Sequence, residues 1–329
     1  MLQLWLAALC LEPSLGLEPA KPRLLIVAPH ALAAPLADFA KAKAQHHDVT
    51  VLELEAALKD APGADDPEKL KHRLYDHWKK SDSPLSVLLV GDADVLPVRY
   101  MCLDRVTPAA FDYAFYPSDL YYADLARDDG SFDDWNGTKD GFHAGYFGEV
   151  RGEKNKNDPM NYDAVSYTPE IAVGRWPVST PEQAAAVAAK SIRYEQAVRA
   201  ATSRPKAAAV MIGGWMDARP TMDAFAKALA PRLDVDRLFY QDGAEGWKDL
   251  QPPTAENVLA QVNAAARLVL HAGHGSDGHW DQCISTHSIP AMKNAACPAV
   301  FMSAGCSTAR FATLPPYEPY EDIAGAKHQ

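Results

Sequence analysis

Short uninterrupted apolar runs, most of them closed by glycine, proline or histidine, recur along this chain: LLIVAPH at 24–30, VLLVG at 87–91, AAAVMIGG at 207–214, LVLHAGHG at 268–275 and AVFM at 299–302, which runs on into Ser-Ala-Gly-Cys. A strand with one face in water alternates polar and apolar residues. A run without alternation is apolar on both faces and belongs inside a parallel sheet covered by helices. Helical segments separate the runs. One carries Leu70, Leu74 and Trp78, and another, STPEQAAAVAAKSIRYEQAVRAA from residue 179, offers Thr180 as N-cap, Pro181 at the first helical position and Glu182 in the first turn. The alternation predicts an α/β fold with mainly parallel sheets between helical layers, a three-layer αβα arrangement.

A chain of 329 residues has room for two such units. The expected division is an N-terminal α/β unit over 22–200, with PEIAVGRWPV at 169–178 as a late strand, and a second unit over 201–329. Residues 1–21 hold a short apolar stretch with no basic residue ahead of it. They read as a leader, either a weak signal peptide or a misplaced start, and export to the envelope or the exterior is the expected destination. No run is long enough for an integral membrane span. The net charge of -11 argues against nucleic acid, which wants clustered Lys and Arg, and is compatible with calcium or basic peptides. Five cysteines, at 10, 102, 283, 297 and 306, are too few and scattered for a disulfide framework, and their odd number leaves a thiol free.

Between 112 and 163 the character changes: twelve acidic residues stand against five basic ones, with little periodicity. Such a stretch reads as a long structured loop or insertion. Asp119, Asp124, Asp128, Asp129, Asp133, Asp140 and Glu149 supply hard oxygen ligands of the kind calcium takes. No frame fits the twelve-residue calcium loop; the nearest, from Asn136 with Gly141 sixth, has Phe147 where the bidentate Glu belongs. The alternative is a solvated acidic loop.

Two of the apolar runs end in His274 and Cys306. Ligands of open α/β sheets bind outside the carboxyl ends of the strands, so both side chains are expected to face one crevice. Gly273 and Gly275 flank the histidine and Gly305 precedes the cysteine, which permits tight turns and close approach of a substrate chain. A free thiol, with a pKa of about 8.5, is only a few per cent thiolate at neutral pH, and a neighbouring imidazole that takes its proton makes it a nucleophile toward carbonyls. Small residues around the cysteine leave backbone N–H groups open to an oxyanion. Zinc is the rival reading, since His271, His274, His279 and Cys283 offer the right atoms, but their spacing matches no common zinc pattern. His271 reads as a hydrogen-bonded structural residue, His279 and His287 as exposed loop residues, and Cys10, Cys102, Cys283 and Cys297 as structural. Trp280 is either a wall of the substrate pocket or a core aromatic.

LHAGHGSDGHW at 270–280, followed 32 positions after His274 by the cysteine of FMSAGCSTARF, resembles the gingipain family of cysteine peptidases, part of the caspase-like clan. VLLVGDADVLPVR at 87–99, SDLYYADL at 118–125, PEIAVGRWPVST at 169–180 and Tyr194-Glu195 extend the resemblance over roughly residues 85 to 310. It implies a first α/β subdomain packed on a caspase-like catalytic one, with His274 as catalytic histidine and Cys306 as nucleophile. It also implies a carboxylate that orients the imidazole, with Asp217 of GGWMDARP the first candidate and Asp223 the second. Gly275, Gly305 and Trp280 become candidate substrate-binding residues. Protein or peptide substrates follow, with no organic cofactor. Structural calcium follows too, with Asp119, Asp124, Asp128, Asp133 and Glu149 as candidate ligands. The best-known members cut after Arg or Lys, using an acid in the pocket that nothing in this sequence fixes. Gingipain-type domains continue well past the nucleophile, whereas this sequence stops 23 residues after Cys306, so the second unit is expected to be truncated. An inactive or incomplete relative serving as a binding scaffold, and a transpeptidase using the same two residues, are the alternatives.

Overall fold

The computed structural model describes residues 21–103, 115–137, 139, 144–150, 161–214, 216–312, 320–321 and 324–328. Residues 1–20, with Cys10, and Asp140 lie outside these. The N-terminal half lays down β1 (Arg23–Ala28), the short helices α1 (His30–Ala33) and α2 (Ala37–Lys43), β2 (Asp48–Glu53), α3 (Leu54–Leu58), α4 (Asp66–Lys79) and β3 (Leu85–Val90). An antiparallel pair, β4 (Tyr100–Cys102) with β5 (Phe115–Pro117), precedes the single turn α5 (Leu120–Ala123), β6 (Ala172–Trp176) and the long α6 (Pro181–Ala200).

Four of these strands form a sheet in the order β2-β1-β3-β6 with every neighbour parallel. The apolar run of β1 is explained by what lies on its two faces. Leu25 and Val27 meet Leu54 and Ala57 of α3 and Leu70 and Leu74 of α4. Leu24, Ile26 and Ala28 meet Leu32, Phe39 and the alanines 184 and 188 of α6 on the other side. Both faces are core, so alternation has no purpose there. The two longer flanking helices start at capping residues: the Asp65 side chain accepts from the Glu68 N–H at 3.1 Å, and Thr180 and Gln183 form a reciprocal capping box ahead of Pro181.

The second half repeats the plan with β7 (Lys206–Met211), α7 (Arg219–Leu229), β8 (Asp234–Phe239), α8 (Ala255–Asn263), β9 (Ala266–Ala272) and β10 (Val300–Ala304). The strands are again parallel, in the order β10-β9-β7-β8. Ala208, Val210 and Val269 face Val258 and Val262 of α8, while Ala209 and Met211 face Met222 and Ala226 of α7. The expected α/β fold with mainly parallel sheets is therefore present, once in each half. A small antiparallel pair, β11 (Tyr320–Glu321) with β12 (Lys327–His328), follows. β10 is the edge of its sheet among the described residues, and solvent reaches all five of its positions. It runs two residues beyond the apolar stretch that betrays it, because the backbone ladder to β9 carries Ser303 and Ala304 along.

The described part of the acidic segment contributes to the core as well as to the surface. Tyr121, Tyr122, Leu125 and Trp135 are buried against Leu70 and Leu74 of α4. The Lys71 ammonium nitrogen lies within this group, 4.1 Å from the Tyr121 ring centroid, 5.2 Å from that of Trp135 and 5.7 Å from that of Phe132. Three blocks of the family resemblance meet nearby. Arg175 donates to both oxygens of Asp119 at 2.7 and 2.9 Å, and to the carbonyls of Gly91, Leu96 and Pro97. Asp119, one of the candidate calcium ligands, is the counter-charge of Arg175, whose side chain is 5% exposed. Asp124 accepts from Ser166 at 3.0 Å and Asp133 from the Trp135 N–H, Glu149 is buried and Asp128 exposed. No group of three or more His, Cys, Asp or Glu side chains among the described residues is arranged to hold a metal ion, so these five residues do not converge there.

Candidate active site

β9 and β10 are adjacent and in register, with His271 opposite Ser303 and Ala272 opposite Ala304. Beyond the last rungs the two chains turn into loops that bear His274 and Cys306. Gly273 has a φ of +130°, and a Cβ there would stand 2.3 Å from the Ile212 carbonyl oxygen, so only glycine permits the turn. The His274 N–H donates to the Gly213 carbonyl at 3.3 Å, and its own carbonyl accepts from Asp281 at 3.1 Å. The loop then folds back on itself through the bridge of Gly275 with Trp280, helped by the Ser276 hydroxyl 2.7 Å from His279 Nδ1. On the other side Ser307 takes a φ of +56°, in the left-handed region that a residue with a side chain seldom occupies. Thr308 closes this turn by donating from Oγ1 to the Gly305 carbonyl at 2.9 Å.

The two loops touch. A Cβ on Gly275 would lie 2.7 Å from the Thr308 methyl and 3.6 Å from the Cys306 carbonyl oxygen; one on Gly305 would lie 3.1 Å from the Gly273 oxygen and 2.9 Å from His271 Cε1. His274 and Cys306 line one cavity of about 830 Å³ on the α7 side of the sheet, with Met302 and Leu270 in its floor and Met222 and Phe225 in its wall. Cys306 is exposed. A thiol and an imidazole at the mouth of one apolar cavity can transfer a proton and attack a bound carbonyl.

The remaining expected residues fall elsewhere. Trp280 packs on the opposite face of the sheet, stacked on His271 with ring centroids 4.1 Å apart, and belongs to the core under α8. His271 is buried there with Nδ1 2.8 Å from the Ser303 hydroxyl, and burial pulls its pKa down to about 4, so the ring is neutral. Cys283 packs against the same cluster, and burial raises its thiol to about 11. No group of three or more His, Cys, Asp or Glu side chains gathers around them among the described residues. His279 and His287 are exposed, as expected of loop residues. Both oxygens of Asp217 are engaged by Arg219, at 2.8 and 2.9 Å, which holds the carboxyl below its usual range. Arg219 also grips Asp242, whose pKa drops to about 2. Asp223 is paired with Lys227 and Arg237. Asp281, which sequence reasoning passed over, lines a second cavity of about 500 Å³ together with His274. The signal available for it was a seven-residue spacing across a loop that doubles back, which periodicity does not register.

Comparison with known proteins agrees with this architecture. A crystal structure of the Arg-specific cysteine proteinase gingipain R is similar over 88% of this chain and 56% of that one, at 15% identity and a TM-score of 0.57. A complex of the RgpB pro- and mature domains of Porphyromonas gingivalis matches over 86% and 55%, at 16% identity and a TM-score of 0.56. A third structure, that of a protease, matches over 88% and 53%, at 18% identity and a TM-score of 0.58. The chain thus spans about half the length of these structures. Comparison with curated proteins gives no match. The profile of peptidase family C25 covers residues 17–320, and the chain accordingly belongs to that family, the gingipain family of cysteine peptidases.

Proposed function

We propose that this chain carries the reacting pair of a cysteine endopeptidase, with Cys306 as nucleophile and His274 as general acid and base. The observation that carries the reading is the meeting of the two strand-end loops. The Gly273 N–H donates to the Ala304 carbonyl at 3.4 Å, a Cβ on Gly275 would collide with the Thr308 methyl, and His274 and Cys306 line one cavity. His274 takes the thiol proton as sulfur attacks the scissile carbonyl carbon, then gives it to the departing amine. Water hydrolyses the resulting thioester, and the thiol is restored. The backbone N–H groups of Gly275 and Cys306, on the two loops that line this cavity, are the candidate donors to the oxyanion. Proton transfer by a positioned imidazole contributes typically about 10²- to 10⁴-fold. Asp217 stays a candidate orienting carboxylate, for which it would have to release Arg219; Asp281 is the alternative on the second cavity. Export, and calcium bound in the acidic segment, complete the reading on family grounds.

The test is intact-mass labelling with peptidyl acyloxymethyl ketones, with and without calcium, beside Cys306→Ala and His274→Ala. One adduct that is absent in Cys306→Ala and slowed at least about a hundredfold in His274→Ala is expected. Equal labelling of His274→Ala would refute the pairing. Joined rather than cleaved peptide products would assign the pair to transpeptidation.

A further inference from the structure

The cavity beside Cys306 has walls that bear on which peptides it takes. Its floor is the α7-facing side of β9 and β10, where Leu270 and Met302 lie; Met222 and Phe225 of α7 form the wall, and Met216 overhangs the rim. Met302 is 57% exposed and Met216 74%, an unusual amount of methionine surface in water. Among the described residues that line the cavity none is Asp, Glu, Lys or Arg. The nearest carboxylates in sequence are already engaged: Arg219 occupies both oxygens of Asp217, and Lys227 and Arg237 hold Asp223. A guanidinium or ammonium entering this space would give up hydration and meet no counter-charge. A flexible apolar side chain would instead cover the exposed methionines, which adapt their shape to it.

We propose that this cavity receives the side chain of the residue that contributes the scissile carbonyl, and that it selects methionine, leucine or phenylalanine over arginine or lysine. The inference rests on Cys306 being the nucleophile, which fixes the carbonyl at the cavity mouth. Such a preference differs from that of the Arg-specific relative.

The experiment measures second-order rates of Cys306 modification for a panel of peptidyl acyloxymethyl ketones that differ only in the residue next to the warhead. Methionine, leucine and phenylalanine probes are expected to react at least about tenfold faster than arginine and lysine probes. Met302→Glu and Met216→Glu alter exposed side chains, so the fold is retained, and each is expected to move the ratio toward arginine by about tenfold or more. Arginine or lysine probes reacting as fast as the apolar ones in the unaltered protein would overturn the proposal. So would a ratio that neither variant moves. Modification of Cys306 by iodoacetamide but by no peptidyl probe would overturn the nucleophile reading and this inference with it, whereas a basic preference with normal labelling sinks the inference alone.

Discussion

Burying an amine inside a box of aromatic rings ties the stability of the first half of the chain to pH. Lys71 is fully buried, and its nitrogen has no hydrogen-bond partner among the described residues. Burial pulls its pKa from the ordinary 10.5 down to about 7, against the opposing fields of Asp133, Asp124 and Asp134. The sign follows from proton counting. Between those two values the unfolded chain binds the more protons, so stability rises with pH across that window and is indifferent to Lys71 below it. Moving from about pH 6 to about pH 9 recovers roughly two pH units of the shift, or about 2.5 kcal/mol. Lys71→Met keeps the chain length and the ring contacts and removes the titration. Urea unfolding followed by tryptophan fluorescence, which Trp135 reports from inside the box, compares the two proteins at both pH values. The variant is expected to be the more stable at about pH 6, with its advantage shrinking by about 2–3 kcal/mol at about pH 9. A difference between the two proteins that does not change with pH would refute the reasoning.

Other expectations are as direct. Gly273→Ala forces a Cβ into the Ile212 carbonyl at a φ of +130°, and should cost about 3 kcal/mol or more; an unchanged thermal midpoint would contradict it. His271, held neutral with a pKa near 4, contributes stability that is whole above its ordinary 6.5 and is lost as pH falls toward 4. His271→Phe should therefore flatten the acid limb of a stability profile between those values, and a limb of unaltered slope would count against the burial of the ring. Cys283, with its thiol raised to about 11, should resist iodoacetamide at neutral pH while exposed Cys306 reacts; peptide mapping of the adducts decides. Arg219→Met removes the cation between Asp217 and Asp242 and is expected to lower the urea midpoint; an unchanged midpoint would show that the pairs do not contribute.

How much of this was legible in the sequence depends on the range of the interaction. The strands show as unbroken apolar runs because helices cover both faces of each sheet, and the helix starts show because Thr180 and Asp65 cap within three residues. His274 and Cys306 were legible for the same local reason, as the ends of two such runs. Pairings between distant residues were not. Nothing in the spacing joins Asp119 to Arg175, 56 positions away, so their ion pair was not visible in the sequence. Asp217 looked available because Arg219, two residues on, carries no signal that its guanidinium turns back. Trp280 was ambiguous because the Gly275–Trp280 bridge reverses the loop and sends the indole to the far face of the sheet.

His274 and Cys306 each lie three residues beyond a matched rung, His271 opposite Ser303. The register of neighbouring parallel strands, about 4.8 Å apart and held by backbone hydrogen bonds, therefore sets where the two loops begin, whatever side chains the strands carry. The cavity walls are drawn from other atoms: methionines on the strand face and one flank of a helix. Placement of the two loops and the lining of the cavity are consequently separable inheritances. A lineage can exchange every methionine around the cavity for acids or small residues without disturbing the ladder from which both loops start.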